Sequence, residues 1–315
     1  MINWFADSEN MLVKMISNNR KSLIDTNQIV PDGPTISTNF GEKAQNRTYQ
    51  DLLKNKFDEH NFEQLSTSAI FKVSIDGSVK KWMDDGMYRT ISFSPNGEYV
   101  MISQINKPFS YLVTYSRFPT ETNVYSKDGN FISNLLNVPL IEELPKGFMS
   151  VRTGKRSFSW RPDKGASLTY VTALDSGDPS KKVDFRDEVY ELNYPFLGQG
   201  KFILKTINRF SGIDWGTKDM AIAYDTWWNT RNRKSYVFNP SNPNIKPKII
   251  SDRNYQDTYS DPGVFLRSRN EFNRSVLKMH YGNIFLRGQG FSPNGQFPFI
   301  DKVNTKTFEK TEEIF

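Results

Sequence analysis

The sequence predicts an all-β chain, and three observations carry that prediction. Short apolar strands alternate with polar turns along nearly all of the 315 residues. Asn-Gly and Asp-Gly pairs, which favour tight chain reversal, sit between those strands. One hairpin pattern also recurs. Its first copy is "ISFSPNGEYVMIS", residues 91–103, in which Ile91 and Phe93 alternate with serines. Pro95, Asn96 and Gly97 then reverse the chain into the apolar run from Tyr99 to Ile102. "FSWRPDKGASLTYVTALD" begins a second copy at Phe158, and "IDWGTKDMAIAYDTWW" a third at Ile213. Phe93, Trp160 and Trp215 are equivalent by this alignment. Repeats of about 40–50 residues with four strands each are propeller blades, and longer spacings mean loop insertions. The expectation is a partial β-propeller of about five four-stranded blade-like units, forming one incomplete domain over residues 1–315.

The units are expected at roughly 2–83, 88–140, 155–207, 210–252 and 260–315. In the first, "NWFADSENMLVKMIS" is the front hairpin and "SAIFKVSIDGSVKKW" supplies the closing strands, with Asp76-Gly77 at the turn. In the second, "TNVYSKDGNFISNLL" closes the unit through Asp128-Gly129. "DEVYELNYP" and "GKFILKTI" close the third, and "KSYVFNPSNPNIKPKIISD" closes the fourth. The fifth reads "GVFLRSRNEFNRSVLKMHYGNIFLRG" followed by "FPFIDKVNTKTFEKTEEIF". Strands covered on both faces by neighbouring blades read as near-continuous apolar runs, which accounts for the second strand of each hairpin.

Residues 17–66 interrupt the first unit as a long insertion, polar and rich in Asn and Lys up to Arg47. Within it, "TYQDLLKNKFDEHNFEQL" predicts a short helix with Thr48 as N-cap and Asp51 in the capping-box position. Leu52, Leu53 and Phe57 would share one face.

Composition narrows the function. Net charge is +6, from 41 basic and 35 acidic residues, which is mild for this length. The basic run "RNRK" at 231–234 reads as a solvated hairpin turn, so no nucleic-acid partner is expected. No apolar run approaches the roughly 18–20 residues of a membrane span. The N-terminal segment has no basic region ahead of an apolar stretch and does not read as a signal peptide. Cysteine is absent, which excludes disulfides and thiolate metal sites.

Catalytic motifs are equally sparse. The sequence has two histidines, His60 and His280, and no G-x-S-x-G, P-loop or G-x-G-x-x-G. Both histidines read as surface or packing residues, and no metal or cofactor is expected. "DSGDPSKKVD", residues 175–184, lacks the order of a calcium loop and reads as a solvated connection. In "DTWWNT" the adjacent tryptophans would take opposite faces of a strand, with one in the core. Asn46 and Asn273 head sequons by pattern only. Arg117, Arg152 and Arg156 flank the aromatic hairpins. Guanidinium groups suit carboxylate recognition, so these three are candidate substrate-binding residues. The alternative is that they pair with Asp or Glu between blades.

Several long stretches carry a resemblance. "RTYQDLLKNKFDEHNFEQLSTSAIFKV", "KPFSYLVTYSRFPTETNVYSKDGNFISNLLNVPLIEELP", "SVRTGKRSFSWRPDK" and "ALDSGDPSKKVDFRDEVYEL" resemble the non-catalytic part of glutamyl endopeptidases. These are serine peptidases of the prolyl oligopeptidase superfamily, often exported in bacteria. "YSDPG" and "GQGFSPNGQFPFID" fit the same pattern, and the match runs from about Trp4 to the last residue. The resemblance implies an N-terminal propeller joined to a catalytic α/β-hydrolase domain, with the chain corresponding to a propeller piece alone. It implies a peptide substrate, cleavage after Glu, and a propeller that restricts entry to the active site. No catalytic residue is carried over. A stand-alone propeller that binds a protein or peptide is the alternative.

Overall fold

The structure, a computed structural model, describes residues 2–25 and 49–314. It divides into two compact units, Met1–Lys146 with Pro195–Leu197, and Gly147–Tyr194 with Gly198–Phe315.

The first unit contains β1 (Ile2–Trp4), β2 (Asn10–Ile16), α1 (Lys56–Ser66), β3 (Ser68–Ser74), β4 (Val79–Phe93), β5 (Tyr99–Ile105), β6 (Thr120–Ser126) and β7 (Phe131–Val138). Each strand pairs with the next, so β1 to β7 form one continuous antiparallel order. The strand β4 is unusually long because it serves twice. Its first half, Val79 to Gly86, closes the meander begun by β1, and its second half, Met87 to Phe93, opens the next against β5. Two four-stranded meanders therefore share one strand. Their facing sides pack together: Phe5, Leu12 and Ile70 meet Ile91, Phe93, Val100 and Ile102. Phe5 and Phe93 touch edge-to-face at 4.8 Å between ring centres.

The opening hairpin forms as the sequence requires. Ser94 and Gly97 close the turn, with the Gly97 N–H donating to Ser94 O at 2.9 Å. Gly97 has φ +76°, and a Cβ there would sit 2.7 Å from Ala6 Cβ. Conformation and space both select glycine. Asp76-Gly77 and Asp128-Gly129 also occupy turns with the glycine in the left-handed region.

The helix departs from expectation. It starts at Lys56, and Asn55 is its N-cap, accepting from the Phe57 and Asp58 N–H groups. Thr48, the expected cap, lies outside the described residues. Asp51 has φ 56°, and Leu52 and Leu53 precede the helix instead of sharing its face. An Asn side chain satisfying two first-turn donors is a stronger cap than a distant Thr. The helix docks through Phe62, whose ring lies 5.1 Å from Phe109 and 5.7 Å from Phe118. Tyr49 and Leu53 pack on the same apolar group.

The second unit holds three sheets of four or five strands and two two-stranded hairpins. The third sheet is built from β8 (Arg156–Trp160), β9 (Ser167–Ala173), β10 (Asp187–Asn193) and β11 (Lys201–Thr206). The fourth contains β12 (Arg209–Thr217), β13 (Met220–Trp227), β14 (Asn232–Phe238) and β15 (Lys248–Asn254). Both are four-stranded antiparallel meanders in chain order. Five adjacent residues of β9 are buried, from Ser167 to Val171, as a strand covered on both faces must be.

The fifth sheet differs in detail. This region runs through β16 (Val264–Phe265), β17 (Arg267–Arg269), β18 (Ser275–Leu277), β19 (Met279–His280), β20 (Asn283–Gly288), β21 (Phe291–Ser292), β22 (Gly295–Gln296), β23 (Phe299–Asn304) and β24 (Lys310–Ile314), of which β17–β18 and β21–β22 are separate two-stranded sheets. The main order is β16-β20-β23-β24, and β19 also pairs with β20. Thus β16 and β19 together form one interrupted first strand, and the hairpin β17–β18 is inserted between them. Asn273 is an exposed residue of that hairpin. Asn46 lies outside the described residues.

Neighbouring sheets of this unit pack face to face. Val171, Val189 and Ile203 of the third meet Trp215, Ala221 and Tyr236 of the fourth. Met220 and Ile222 of the fourth meet Leu277, Ile284 and Val303 of the fifth. The chain is therefore all-β in architecture, with five four-stranded antiparallel meanders, the blade unit of a propeller. Among the described residues no helix is long and apolar enough to cross a membrane.

Candidate functional site

Charge, not apolar surface, distinguishes the second unit. Arg156 opens β8 and points at Asp187, the first residue of β10, with Nη2 2.5 Å from Oδ1. The contact is an ion pair without hydrogen-bond geometry. Asp187 is fully buried, and it also receives Arg209 Nη1 at 3.1 Å and the Phe210 N–H at 2.8 Å. Arg209 reaches further. Its Nη2 donates to Asp175 at 2.7 Å and its Nε to Met149 O at 2.9 Å. Asp175 in turn accepts from Arg186 at 2.7 Å and from the Gly177 N–H at 2.9 Å. Three guanidinium groups, with Arg209 buried and Arg156 and Arg186 half-buried, thus converge on two buried carboxylates. Burial of such charges is tolerated only where each is paired and hydrogen-bonded.

Residues 180–184 are exposed, as the reading of a solvated connection expects, and the segment departs from that reading at its first residue. Asp175 is 1% exposed and anchors that loop. Apolar periodicity carries no signal for a charge at a strand terminus, so the pairing of Asp175, Arg186, Asp187 and Arg209 is not legible in the sequence. The available signal was a charged residue bordering each apolar strand run. The tryptophan pair also differs from expectation. Trp227 is half-buried, with the Arg186 guanidinium 4.0 Å above its ring, and Trp228 is exposed beside Phe148. Strand β13 ends at Trp227, so the two rings do not alternate across a sheet.

Arg152 lies just before β8. Its Nη1 donates to Thr153 O at 3.0 Å, and its Nη2 donates to Lys155 O. Burial, followed by the nearby Arg156 charge, pulls its pKa below the ordinary arginine value. The structure therefore brings Arg152 and Arg156 together. Arg117 belongs to the first unit, in a single 3₁₀ turn, with its guanidinium 5.4 Å from the Tyr49 ring centre. The run 231–234 is split between a turn and β14: Arg231 stacks on Trp228 at 3.8 Å, and Lys234 pairs with Asp252 at 2.5 Å.

A second network lies between the third and fourth sheets. Arg161 is buried, forks onto Asp163 at 3.1 and 2.6 Å, and sits 3.9 Å above the Trp215 ring. Its Nη1 is 3.0 Å from Glu191. Burial works against ionisation of Glu191. Hydrogen bonds from Lys164 and Ser167 and the Arg161 charge overcome it and hold the carboxyl below the usual range.

The fourth and fifth sheets enclose a cleft of about 850 Å³. Arg233, Arg253, Arg267, Arg287 and Lys310 line it, against two carboxylates, Asp214 and Asp261. Arg267 pairs with Asp214, and Arg253 with Asp261 at 3.1 Å. Tyr224 donates to Asp214 at 2.8 Å, and burial, then that carboxylate, pushes its pKa far above the ordinary tyrosine value. Among the described residues no group of three or more His, Asp or Glu is arranged to hold a metal ion. His60 contacts Ser22 O on the exposed side of α1, and His280 touches Tyr281.

No protein-family model matches the sequence. Comparison with curated proteins is more informative. The chain is 38% identical over 289 residues to the probable chloroplastic glutamyl endopeptidase of Oryza sativa subsp. japonica, a match covering 89% of the chain and 31% of that protein. The chain is similar to part of that probable glutamyl endopeptidase. The corresponding protein of Arabidopsis thaliana is 33% identical over 315 residues, covering 97% of the chain and 33% of the relative. The chain thus spans about a third of the length of the glutamyl endopeptidases it matches. Among solved structures, the β-propeller domain of the Trilobed protease from Pyrococcus furiosus aligns at TM-score 0.41 and 12% identity, covering 78% of the chain and 62% of that domain.

Proposed function

We propose that the chain is the non-catalytic β-propeller portion of a serine endopeptidase that cleaves after Glu, and that it gates substrate entry to an α/β-hydrolase domain. The observation that supports this is similarity along nearly the whole chain to about a third of each glutamyl endopeptidase relative. The 315 residues contain no G-x-S-x-G, so the nucleophile is assigned to sequence outside them. The partner of this portion is then a peptide held against the hydrolase domain, where Ser, His and Asp perform acyl transfer. Stacked antiparallel meanders suit the gating role because they are rigid and leave loops free to restrict access.

The test compares the chain with the intact reading frame on peptides carrying a single Glu or a single Gln. The chain alone is expected to release no product, and the intact protein to cleave after Glu only. An intact protein without Glu-dependent cleavage overturns the reading and leaves a propeller that binds a peptide or protein partner. Gating is tested by deleting these residues: a folded protein should become a substrate, and unchanged exclusion refutes the gate. Arg117, Arg152 and Arg156 are proposed to attract acidic substrates. Their alanine variants in the intact protein should lower kcat/KM for Glu peptides more than for neutral ones. Equal losses for both removes them from recognition.

A further inference from the structure

One pentapeptide occurs twice in the chain. Phe93-Ser94-Pro95-Asn96-Gly97 and Phe291-Ser292-Pro293-Asn294-Gly295 are identical in sequence. Each turns a hairpin, the first between β4 and β5 and the second between β21 and β22. Their surroundings differ. At the first turn Pro95 and Gly97 are buried, and a Cβ on Gly97 would lie 2.7 Å from Ala6 Cβ. The Asn96 amide oxygen is fixed by two donors, Ser94 Oγ at 2.7 Å and the Glu98 N–H at 3.1 Å. The Gly97 N–H is engaged as well, donating to Ser94 O at 2.9 Å. At the second turn Pro293, Asn294 and Gly295 are all exposed. Here Ser292 Oγ accepts from the Asn294 backbone N–H at 3.2 Å and donates to Gly295 O at 3.0 Å. The Asn294 side-chain amide has no hydrogen-bond partner among the described residues. A Cβ on Gly295 would meet nothing closer than the Phe297 ring at 3.6 Å.

We propose that Asn294 is a site of spontaneous deamidation and isomerisation, and that the fold protects the identical Asn96. The reactants are the protein's own atoms and water. The Gly295 backbone nitrogen loses its proton to solvent base and attacks Asn294 Cγ. The bond from Cγ to the side-chain nitrogen breaks, and ammonia leaves as a five-membered succinimide closes. Water then opens the ring at one carbonyl or the other, giving aspartate or isoaspartate. A glycine after the asparagine favours the attack because no Cβ stands beside the nucleophilic nitrogen. The side chain must swing to bring Cγ onto that nitrogen. Two hydrogen bonds on Asn96 Oδ1 oppose that movement, and buried Gly97 leaves no room for the ring. Neither restraint acts at Asn294. Both products remove one unit from the net charge of +6. Isoaspartate also adds a methylene to the main chain, which disturbs the pairing of Phe291 with Gln296 and of Ser292 with Gly295. The reaction is independent of the peptidase reading and is read by mass instead of cleavage, so each proposal fails on its own result.

The experiment incubates the 315-residue chain at physiological temperature, at neutral and at mildly alkaline pH, folded and in concentrated urea. Peptide mapping by mass spectrometry follows each asparagine, and enzymatic methylation counts isoaspartate. In the folded chain Asn294 should convert at least about tenfold faster than Asn96, equivalent to about 1.4 kcal/mol in barrier height. In urea the two sites should react at similar rates, because the local sequence is the same. The Asn294 rate should rise with pH, as loss of the Gly295 proton requires, and both aspartate and isoaspartate should form. Gly295→Ala, with circular dichroism confirming its folding, should slow the reaction by placing a Cβ beside the nitrogen. Equal rates at Asn96 and Asn294 in the folded chain overturn the proposal. So does an Asn294 that reacts in urea but not in the folded chain, since the second hairpin would then protect as well as the first. Aspartate as the sole product, or a rate independent of pH, refutes the succinimide route.

Discussion

Arg209 shows how much one side chain can organise. It is 3% exposed and holds Asp175, Asp187 and the Met149 carbonyl at once. Removing one member of a buried ionic network leaves the others charged and unpaired, which costs about 3–5 kcal/mol. Arg209→Ala should lower the urea midpoint by that equivalent, and a loss under about 1 kcal/mol would mean that water reaches the network. Glu191 makes a pH-dependent contribution. Its folded-state pKa lies below the ordinary value, so its ionised form favours the native state. That stability is complete above the ordinary carboxylate range and is lost as pH falls through the depressed value. Glu191→Gln should therefore be less stable at neutral pH and show a flatter stability profile below about pH 5. An unchanged acid profile would show that other carboxylates govern it.

Caps and turns carry the predictions for single elements. Asn55 satisfies two first-turn donors of α1, so Asn55→Ala should cost about 1 kcal/mol, with Asn55→Ser close to neutral. Equal stability of the Ala and Ser variants, by chemical denaturation, would show that the helix is held by Phe62 packing alone. Two glycines separate backbone strain from collision. Gly177 and Gly198 both have φ +77°. A Cβ on Gly198 meets nothing within 4 Å, whereas one on Gly177 would lie 1.9 Å from Val151 O. Gly198→Ala should cost about 1–2 kcal/mol from conformation alone. Gly177→Ala should cost distinctly more, because the loop carrying Asp175 must move. Similar melting temperatures for the two variants would refute the collision.

At the scale of the whole molecule, two units each own their cores. The first has apolar groups around Phe93 and around Phe118, and the second around Trp215 and around Ile284. Units with separate cores unfold as separate cooperative blocks unless a large interface couples them. Scanning calorimetry of the chain should give a calorimetric enthalpy larger than the van't Hoff enthalpy. A ratio of one would show a single cooperative block. The shared strand β4 predicts that the first two meanders unfold together, because no loop separates them. Hydrogen exchange along Val79 to Phe93 should therefore show a single opening free energy, and two distinct values would separate the meanders.

By itself the sequence determined the all-β class, the number of meanders, the turn at Gly97 and the match to glutamyl endopeptidases. These properties are local: a period-two apolar pattern and a glycine at a left-handed position can be read within ten or fifteen residues. The start of α1 differs from its sequence expectation because a cap depends on which side chain reaches the first-turn N–H groups. The merger of two meanders through β4 and the inserted hairpin β17–β18 also belong to tertiary pairing. Asp175, Asp187 and Arg209 are brought together by tertiary structure alone. Charged side chains have no periodicity that announces their partners. Their pairing depends on residues from different strands meeting in space, at energies set by burial that a linear sequence does not display.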